Sequence, residues 1–373
     1  MEIIELLSHA MAAGASDLHL SSGLPPLVRV DGELRRLGEE PSAGGASPTA
    51  DACGSDGIPP VAGGVLPCKP IADREVRAML AAVMSRRSRE TFGNSLETDF
   101  AFAAEGIGRF RVNAYHHDRG AGAAFRVIPS RVPTMDELKL APVFEEIAMA
   151  PRGLVLVTGP TGSGKSTTLA ALIDGINRNR QQHILSIEDP IEFVHASRSC
   201  LVTQREVLRD TRGFNAALRS ALREDPDVIL VGEMRDTETI RLALTAAETG
   251  HLVFGTLHTA SAAKTVDRIV DAFPAGEKNM VRSALSESLH AVVSQTLLKA
   301  TSGGRVAAHE VMLATPAIRN LIREDKTAQM VSVMQTGAAV GMQTLDQCLR
   351  GLVQQGTVSR EAARAKARVP EDI

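Results

Sequence analysis

One stretch of the chain has the residue types and the spacing that bind the phosphates of a nucleotide. It fits the pattern G-x-x-x-x-G-K-[ST] and consists of Gly159, Pro160, Thr161, Gly162, Ser163, Gly164, Lys165, Ser166 and Thr167. The glycines let backbone N–H groups close on the phosphates, and a helix beginning at this point adds partial positive charge. We expect Lys165 to contact the β- and γ-phosphates and Ser166 to bind Mg²⁺.

Three carboxylates follow the apolar run 183–187, at Glu188, Asp189 and Glu192. They lie at the carboxyl end of a predicted strand, which is where α/β folds place ligands. A carboxylate in that place can hold the attacking water in line with the γ-phosphate. An acidic turn after a strand is ordinary by itself, but its position one strand after the phosphate-binding stretch favours a catalytic role.

A second apolar strand, 227–231, also ends in an acid and resembles a Walker B strand. Gly232 occupies the position where an aspartate is usual, so Glu233 supplies the carboxylate. Glu233 could bind Mg²⁺ through water, polarise the attacking water, or do both.

Two histidines bracket the predicted strand 251–257. His251 and His258 are an odd number of positions apart, so on a continuous strand they face opposite sides. We interpret His258, at the carboxyl end, as a candidate sensor of the γ-phosphate. We expect His251, at the other end, to be structural or interfacial.

Arginines follow the predicted strands of the first part of the chain. Arg109, Arg111 and Arg126 lie on strand-like runs, and Arg131 lies just beyond them. They are either solvated strand residues or arginine fingers that reach a nucleotide held by the rest of the chain. Arg111 and Arg126 are our candidates for nucleotide binding.

The elements that must position these residues alternate between strands and helices from Val143 onward. Strands are predicted at 153–158, 183–188, 227–232 and 251–257, and helices near 164–178, 213–223, 236–248 and 261–271. This alternation predicts an α/β fold, with a parallel sheet covered by helices on both faces. From about Gly276 the chain is predicted to be mainly helical, with strands near 292–298 and 305–312.

The first part of the chain predicts a smaller α+β domain. Its pattern indicates a helix at 2–13, a strand at 17–20, a hairpin at 27–37 with an Asp-Gly turn, a helix at 72–92, and strands at 97–103, 109–115 and 123–128. Residues 38–70, which include Cys53 and Cys68, are rich in Gly, Ala, Ser and Pro and predict a flexible surface insertion. We place an N-terminal domain at 1–129, a linker at 130–141 and an ATPase domain at 142–373.

Composition excludes several classes of protein. The net charge is −3 and aromatic residues make up 3% of the chain, which is unfavourable for a nucleic-acid translocase. The four cysteines form no C-x-x-C pair, so neither a zinc site nor a disulfide framework is indicated. No apolar run is long enough to span a bilayer, and the acidic start of the chain is unlike a signal peptide. We therefore expect a cytosolic enzyme.

Taken together, the motifs resemble those of the PilT family, the twitching-motility retraction ATPases of type IV pili, within the secretion ATPase superfamily. The resemblance covers nearly the whole chain and rests on the phosphate-binding loop and on 14–20, 187–193 (the Asp box), 217–226, 232–236 (the Walker B box), 249–259 (the His box) and 317–324. It implies a PAS-like N-terminal domain joined to a RecA-like P-loop ATPase core. Residues 38–70 depart from the family pattern, which has only a short connection there.

The resemblance also assigns roles and partners. Glu192 matches the catalytic glutamate of the Asp box, Glu233 matches that of the Walker B box, and His251 and His258 match the His box. With Lys165 and His258, these glutamates form the predicted catalytic set, and Ser166 and Glu233 the predicted Mg²⁺ ligands. The family implies a homohexamer that uses ATP, works on an inner-membrane pilus platform protein, and is cytoplasmic and peripheral to the inner membrane at the pilus base. A pilus-extension or type II secretion ATPase of the same superfamily is the alternative, but these often carry a tetracysteine zinc site.

The stretch 317–324 matches the family's signature for retraction. It follows a proline and has Ile318, Leu321 and Ile322 at helical spacing, with Arg319 and Arg323 on another face. We expect the apolar stripe to dock on the ATPase core and to leave both arginines free.

Overall fold

The computed structural model describes residues 2–30, 32–38, 69–129 and 131–373. The chain divides into two compact units, Met1–Ser130 and Arg131–Ile373. The predicted insertion at 38–70, with Cys53 and Cys68, falls almost wholly on residues 39–68, which lie outside the described residues. The predicted linker at 130–141 and the domain limits on either side of it stay predictions.

The first unit is built on an antiparallel sheet. Its described helices are α1 (Ile3–Ala12), α2 (Asp73–Val83) and α3 (Arg86–Ser95). Its strands are β1 (Asp17–Ser21), β2 (Leu27–Val30), β3 (Glu33–Arg36), β4 (Glu97–Ala104), β5 (Gly108–His117) and β6 (Gly120–Ile128). They lie in the order β3-β2-β1-β6-β5-β4, and each neighbouring pair is antiparallel. The α+β character predicted for this part of the chain is confirmed.

The two faces of this sheet differ because side chains alternate along each strand. Leu18, Val112 and Phe125 are fully buried on one face and belong to a core that also contains residues of α1 and α2. Arg111 and Arg126 stand directly opposite each other on β5 and β6, so they share the other face. The arginines are therefore turned away from the core of this unit.

The single helix predicted at 72–92 was wrong, because the chain bends between α2 and α3. Met84 has an extended backbone, with φ −80° and ψ 137°, which ends α2. Ser85 then begins α3, because its side chain accepts a hydrogen bond from the N–H of Ser88. The amphipathic pattern continues across this break, which explains the error.

The second unit alternates between strands and helices. Its strands are β7 (Gly153–Thr158), β8 (His183–Glu188), β9 (Leu201–Glu206), β10 (Val228–Val231), β11 (Leu252–Leu257), β12 (Leu289–Lys299) and β13 (Arg305–Leu313). Its described α-helices are α4 (Val143–Ala148), α5 (Lys165–Asn179), α6 (Phe214–Ala221), α7 (Thr237–Glu248), α8 (Ala262–Asp271), α9 (Lys278–Ser288), α10 (Pro316–Arg323), α11 (Met330–Thr336), α12 (Leu345–Gln354) and α13 (Arg360–Arg364). The predicted strands and helices of this part are confirmed, whereas β9 was not predicted.

The strands of this unit form one sheet in the order β13-β12-β7-β11-β10-β8-β9. All neighbours are parallel except β12 and β13. The buried side chains of β7 alternate between two hydrophobic clusters, Leu154 and Leu156 in one and Val155 and Val157 in the other. Helices therefore cover both faces, as predicted for a RecA-like core. None of the described helices combines the length and the apolar character needed to cross a membrane.

The helix α10 carries the stretch that matches the retraction signature. Ile318 and Ile322 are fully buried, and Leu321 is half-buried and packs against the same core. The predicted docking of the apolar stripe is confirmed. The expectation that Arg319 and Arg323 are free was wrong, because both side chains contact the end of α9.

Candidate active site

The phosphate-binding loop connects the end of β7 to the start of α5. Gly164 has φ +87°, a left-handed conformation that glycine adopts without strain, and α5 begins at the next residue, Lys165. Gly159 has φ +141°, and a Cβ there would lie 2.3 Å from the carbonyl oxygen of Gln295. Backbone shape and packing both require glycine at these two positions, so the loop has the form that the motif predicts.

Lys165 lies across the mouth of the loop. Its Nζ donates hydrogen bonds to the carbonyl oxygens of Gly159 (2.8 Å) and Pro160 (3.1 Å). Burial lowers the pKa of Lys165, while the carboxylates of Glu233 and Glu192 oppose that change. The structure thus brings together three residues of the predicted site, contributed by the ends of different strands.

The buried hydroxyl of Ser163 marks the interior of the loop. Ser163 is 3% exposed, and its Oγ has no hydrogen-bond partner in the part of the chain that the structure describes. A buried polar atom without a partner costs free energy. An anionic phosphate entering the loop can meet that need, so the loop fits a nucleotide in chemistry as well as in shape.

The turn after β8 holds two glutamates in different environments. Glu188 accepts hydrogen bonds from Ser186 Oγ (2.6 Å) and Gln204 Nε2 (3.1 Å). Burial raises the pKa of Glu188, and these bonds only partly oppose the rise. Glu192 donates its N–H to Glu188, and its negative charge opposes the lowering of the pKa of Lys165. Glu188 therefore supports the turn, and Glu192 is coupled electrostatically to the lysine of the phosphate-binding loop.

Glu233 joins the Walker B strand to the His box. Its carboxylate Oε1 accepts hydrogen bonds from Arg235 Nε (2.6 Å) and His258 Nε2 (3.0 Å). Burial opposes ionisation of Glu233, but the guanidinium of Arg235 and the ring of His258 outweigh it and lower the pKa of the carboxyl. Glu233 is thus held as a carboxylate. Arg235 was not among the predicted site residues, although it follows Glu233 by only two positions.

Gly232 explains why the acid stands one position later than usual. A Cβ at Gly232 would lie 3.0 Å from the carbonyl oxygen of Ile187 and 3.2 Å from the Cα of Glu188. Its N–H donates to that carbonyl at 2.8 Å. The neighbouring strand β8 therefore leaves little room for a side chain there, and the carboxylate comes from Glu233.

The two histidines lie at opposite ends of β11. His258 is near Glu233, at the carboxyl end of the strand. The Nδ1 of His251 lies 2.9 Å from the carbonyl oxygen of Ala246 and 3.3 Å from Thr249 Oγ1, next to the end of α7. The structure places His258 with the candidate site and His251 away from it.

The first unit holds the two predicted nucleotide-binding arginines. Arg126 Nε donates to Asp17 at 2.9 Å, and Arg111 Nε lies 3.9 Å from Asp99. The guanidinium of Arg126 is thus hydrogen-bonded to a carboxylate on a neighbouring strand, whereas that of Arg111 only lies near one. Contact of either arginine with a nucleotide stays a prediction.

Oxygen atoms suited to Mg²⁺ are present at the loop. Ser166 lies in the first turn of α5, and the carboxylate of Glu233 is ionised and partly accessible. Across 2–30, 32–38, 69–129 and 131–373, no cluster of three or more His, Cys, Asp or Glu could hold a metal ion. Mg²⁺ in nucleotide sites is held by one or two side chains together with phosphate oxygens, and this donor set fits that arrangement.

Sequence and structure comparisons give concordant results. The family described as Type II/IV secretion system protein matches residues 109–364. The chain is 61% identical, over 100% of both proteins, to the type IV pilus retraction ATPase PilT of Pseudomonas aeruginosa. It is 62% identical to the twitching motility protein of Neisseria gonorrhoeae, over 80% of each. Among solved structures it is similar to the pilus retraction motor PilT with bound ADP, at 42% identity and a TM-score of 0.86, covering 100% of this chain and 99% of that one.

Proposed function

We propose that this chain, which belongs to the type II/IV secretion system protein family, is an ATPase that drives the retraction of type IV pili. Relatives named for pilus retraction and twitching motility match at least 80% of its length. This similarity includes both units and is not limited to the nucleotide site. Retraction is therefore favoured over pilus extension or type II secretion as the work that ATP hydrolysis performs.

One observation carries the enzymatic part of the proposal. The ammonium group of Lys165 lies within electrostatic reach of both Glu192 and Glu233. A nucleotide in the loop would meet the cation at its β- and γ-phosphates and the carboxylates on the far side of the γ-phosphate. This arrangement suits attack by a water molecule in line with the bond that breaks.

In the proposed mechanism, Lys165 exchanges the carbonyl oxygens of Gly159 and Pro160 for phosphate oxygens when ATP binds. Glu192 accepts a hydrogen bond from the attacking water and takes up its proton as the new P–O bond forms, while the bond from the γ-phosphorus to the β–γ bridging oxygen breaks and ADP leaves with that oxygen. Ser166 and Glu233 are the residues that would hold Mg²⁺, directly or through water. When bound, Mg²⁺ neutralises the charge that develops on the phosphate oxygens.

His258 acts as the sensor of the γ-phosphate in this proposal. In the structure its Nε2 is hydrogen-bonded to Glu233. A γ-phosphate oxygen offers His258 a competing acceptor of higher charge. When ATP is bound, His258 would therefore exchange Glu233 for the γ-phosphate, and when ADP is bound it would return to Glu233. The position of His258 at the end of β11 would thus differ between the two nucleotides, while Arg235 would stay hydrogen-bonded to Glu233.

Work on a pilus requires partners beyond one chain. We propose that six copies form a ring and that the ring works on an inner-membrane platform protein at the pilus base, on its cytoplasmic side. Arg111 and Arg126 are the proposed arginine fingers, because their shared sheet face is turned away from the core of their own unit. The hydrogen bond from Arg126 to Asp17 would hold that guanidinium in place for phosphate.

Substitution of Lys165 tests the site. We expect Lys165→Ala to abolish tight nucleotide binding or turnover, since no neighbouring group replaces its charge on the phosphates. The matched control is Lys278→Ala, which removes a lysine that pairs with Asp271 on the surface. Steady-state ATP hydrolysis and ADP binding measure the effect. Near-normal turnover by Lys165→Ala would refute the assignment of the loop.

A further inference from the structure

The strand beside the phosphate-binding loop places a buried glutamine against it. β12 runs parallel to β7 as far as the pair Ser294 and Thr158. The next residue, Gln295, therefore stands beside the first residue of the loop. Gln295 is 3% exposed, and its side-chain amide is hydrogen-bonded at both ends.

The amide of Gln295 connects the loop to the helix that follows it. Its Nε2 donates to the carbonyl oxygen of Ser163 at 2.5 Å. Its Oε1 accepts from the hydroxyl of Thr168, in the first turns of α5, at 2.9 Å. One side chain thus fixes a peptide group of the loop relative to the helix N-terminus.

The contact with Ser163 determines the direction of a phosphate-facing group. In a trans peptide the C=O of one residue and the N–H of the next point in opposite directions. Because Gln295 holds the carbonyl of Ser163 on the β12 side, the N–H of Gly164 is directed away from β12. Backbone N–H groups in such loops bind phosphate oxygens, so the orientation of this peptide is part of the binding geometry.

The fit between β12 and the loop is close along its length. A Cβ at Gly164 would lie 3.0 Å from Nε2 of Gln295, and a Cβ at Gly159 would lie 2.3 Å from its backbone oxygen. A glutamate at position 295 would have the same size but would present no donor to the carbonyl of Ser163. The site thus uses both properties of the amide, donor and acceptor.

We propose that Gln295 is a positioning residue that holds the loop in its phosphate-binding shape. Without it, the peptide between Ser163 and Gly164 is free to rotate, and the nucleotide must restore its orientation on binding. The expected result is weaker nucleotide binding in a folded protein. This inference rests on the proposed nucleotide site at the loop.

The test measures ADP affinity of the full chain by equilibrium titration, together with unfolding in urea. Gln295→Met removes both hydrogen bonds, and Gln295→Glu removes the donor alone. The control is Gln343→Met, because the amide of Gln343 also donates to a backbone carbonyl, that of His309, outside the loop. We expect both Gln295 variants to bind ADP about tenfold more weakly than the wild type, and the control to bind normally.

Thr168 provides an independent pair of variants in case Gln295 variants fold poorly. Thr168→Val should weaken ADP binding, whereas Thr168→Ser keeps the hydroxyl and should restore it. Wild-type affinity in Gln295→Glu and Thr168→Val, with Lys165→Ala defective, would overturn the role of Gln295 and leave the loop assignment intact. Wild-type affinity in Lys165→Ala would overturn the site itself and the inference with it.

Discussion

Arg319 in the helix α10 should contribute to stability more than Arg323, although both belong to the stretch that matches the retraction signature. Its Nη1 donates to the backbone carbonyls of Ser286 and Glu287, the latter at 2.7 Å. These are among the last carbonyls of α9, which lack partners within the helix. Arg323 contacts the same region only at 3.5 Å, and its side chain is 43% exposed.

The difference can be estimated from these contacts. A hydrogen bond from a charged donor contributes about 1.5–3 kcal/mol when it is shielded from solvent, and a cation at a helix C-terminus adds about 0.5 kcal/mol. Since Arg319 is partly exposed, we expect Arg319→Ala to lower the free energy of unfolding by about 2 kcal/mol. An exposed ion pair contributes at most about 1 kcal/mol, so Arg323→Ala should change the free energy of unfolding by less than about 0.5 kcal/mol.

Urea denaturation of the two alanine variants measures this difference, and ATP hydrolysis in the same preparations shows whether the nucleotide site is intact. Equal destabilisation by the two variants, or none by Arg319→Ala, would refute the capping role. The same variants also distinguish an effect on protein stability from an effect on twitching motility. Arg323→Ala, at normal protein level, is the clean test of a contact with the pilus machinery, because the small expected change in stability could not account for a loss of twitching.

Two further predictions concern the site and the pH dependence of stability. Glu192→Gln should leave nucleotide binding intact and slow hydrolysis by about a hundredfold or more in single-turnover assays, whereas a block by Glu233→Gln alone would show that the base was misassigned. Burial lowers the pKa of His309 from 6.5 to about 4, so the unfolded chain takes up the proton first as pH falls. Between pH 7 and pH 5 the wild type should lose about 2 kcal/mol of unfolding free energy that His309→Gln does not lose; equal losses in urea titrations would contradict this.

The residues proposed to do chemistry could be predicted because each belongs to a local pattern. The glycine spacing before Lys165 specifies a loop and a helix start, and the apolar strands that precede Glu192 and Glu233 place them at one edge of the sheet. Parallel strands buried on both faces are continuous apolar runs, which made β7, β10 and β11 easy to find. Patterns of this kind depend only on residues that are close together in the sequence, so they can be recognised without the structure.

The errors have the opposite character. β9 was missed because its residues, Leu201–Glu206, contain no apolar run, and the strand is defined by its pairing with β8. The break at Ser85 was missed because the amphipathic pattern continues across it and hides the N-cap, in which the Ser85 side chain accepts from the N–H of Ser88. Arg319 was expected to be free because its acceptors are carbonyls of another helix. The errors at β9 and Arg319 concern contacts between separate elements, which form only after the chain has folded.

The hairpin β12–β13 shows most clearly what the sequence patterns do not reveal. It supports both sides of the proposed phosphate site but carries none of the motifs. Gln295 reaches Ser163 across 132 positions of sequence. Glu310, which is 1% exposed and pairs across the hairpin with Ser294, accepts the N–H of Ala262 at 2.7 Å. Ala262 begins α8, the helix that follows the candidate sensor His258. Arg319 of α10 caps α9, and α9 leads directly into β12. The stretch that matches the retraction signature is therefore connected, through α9 and the hairpin, to both sides of the proposed nucleotide site. The spacing of residues in the sequence does not reveal these contacts.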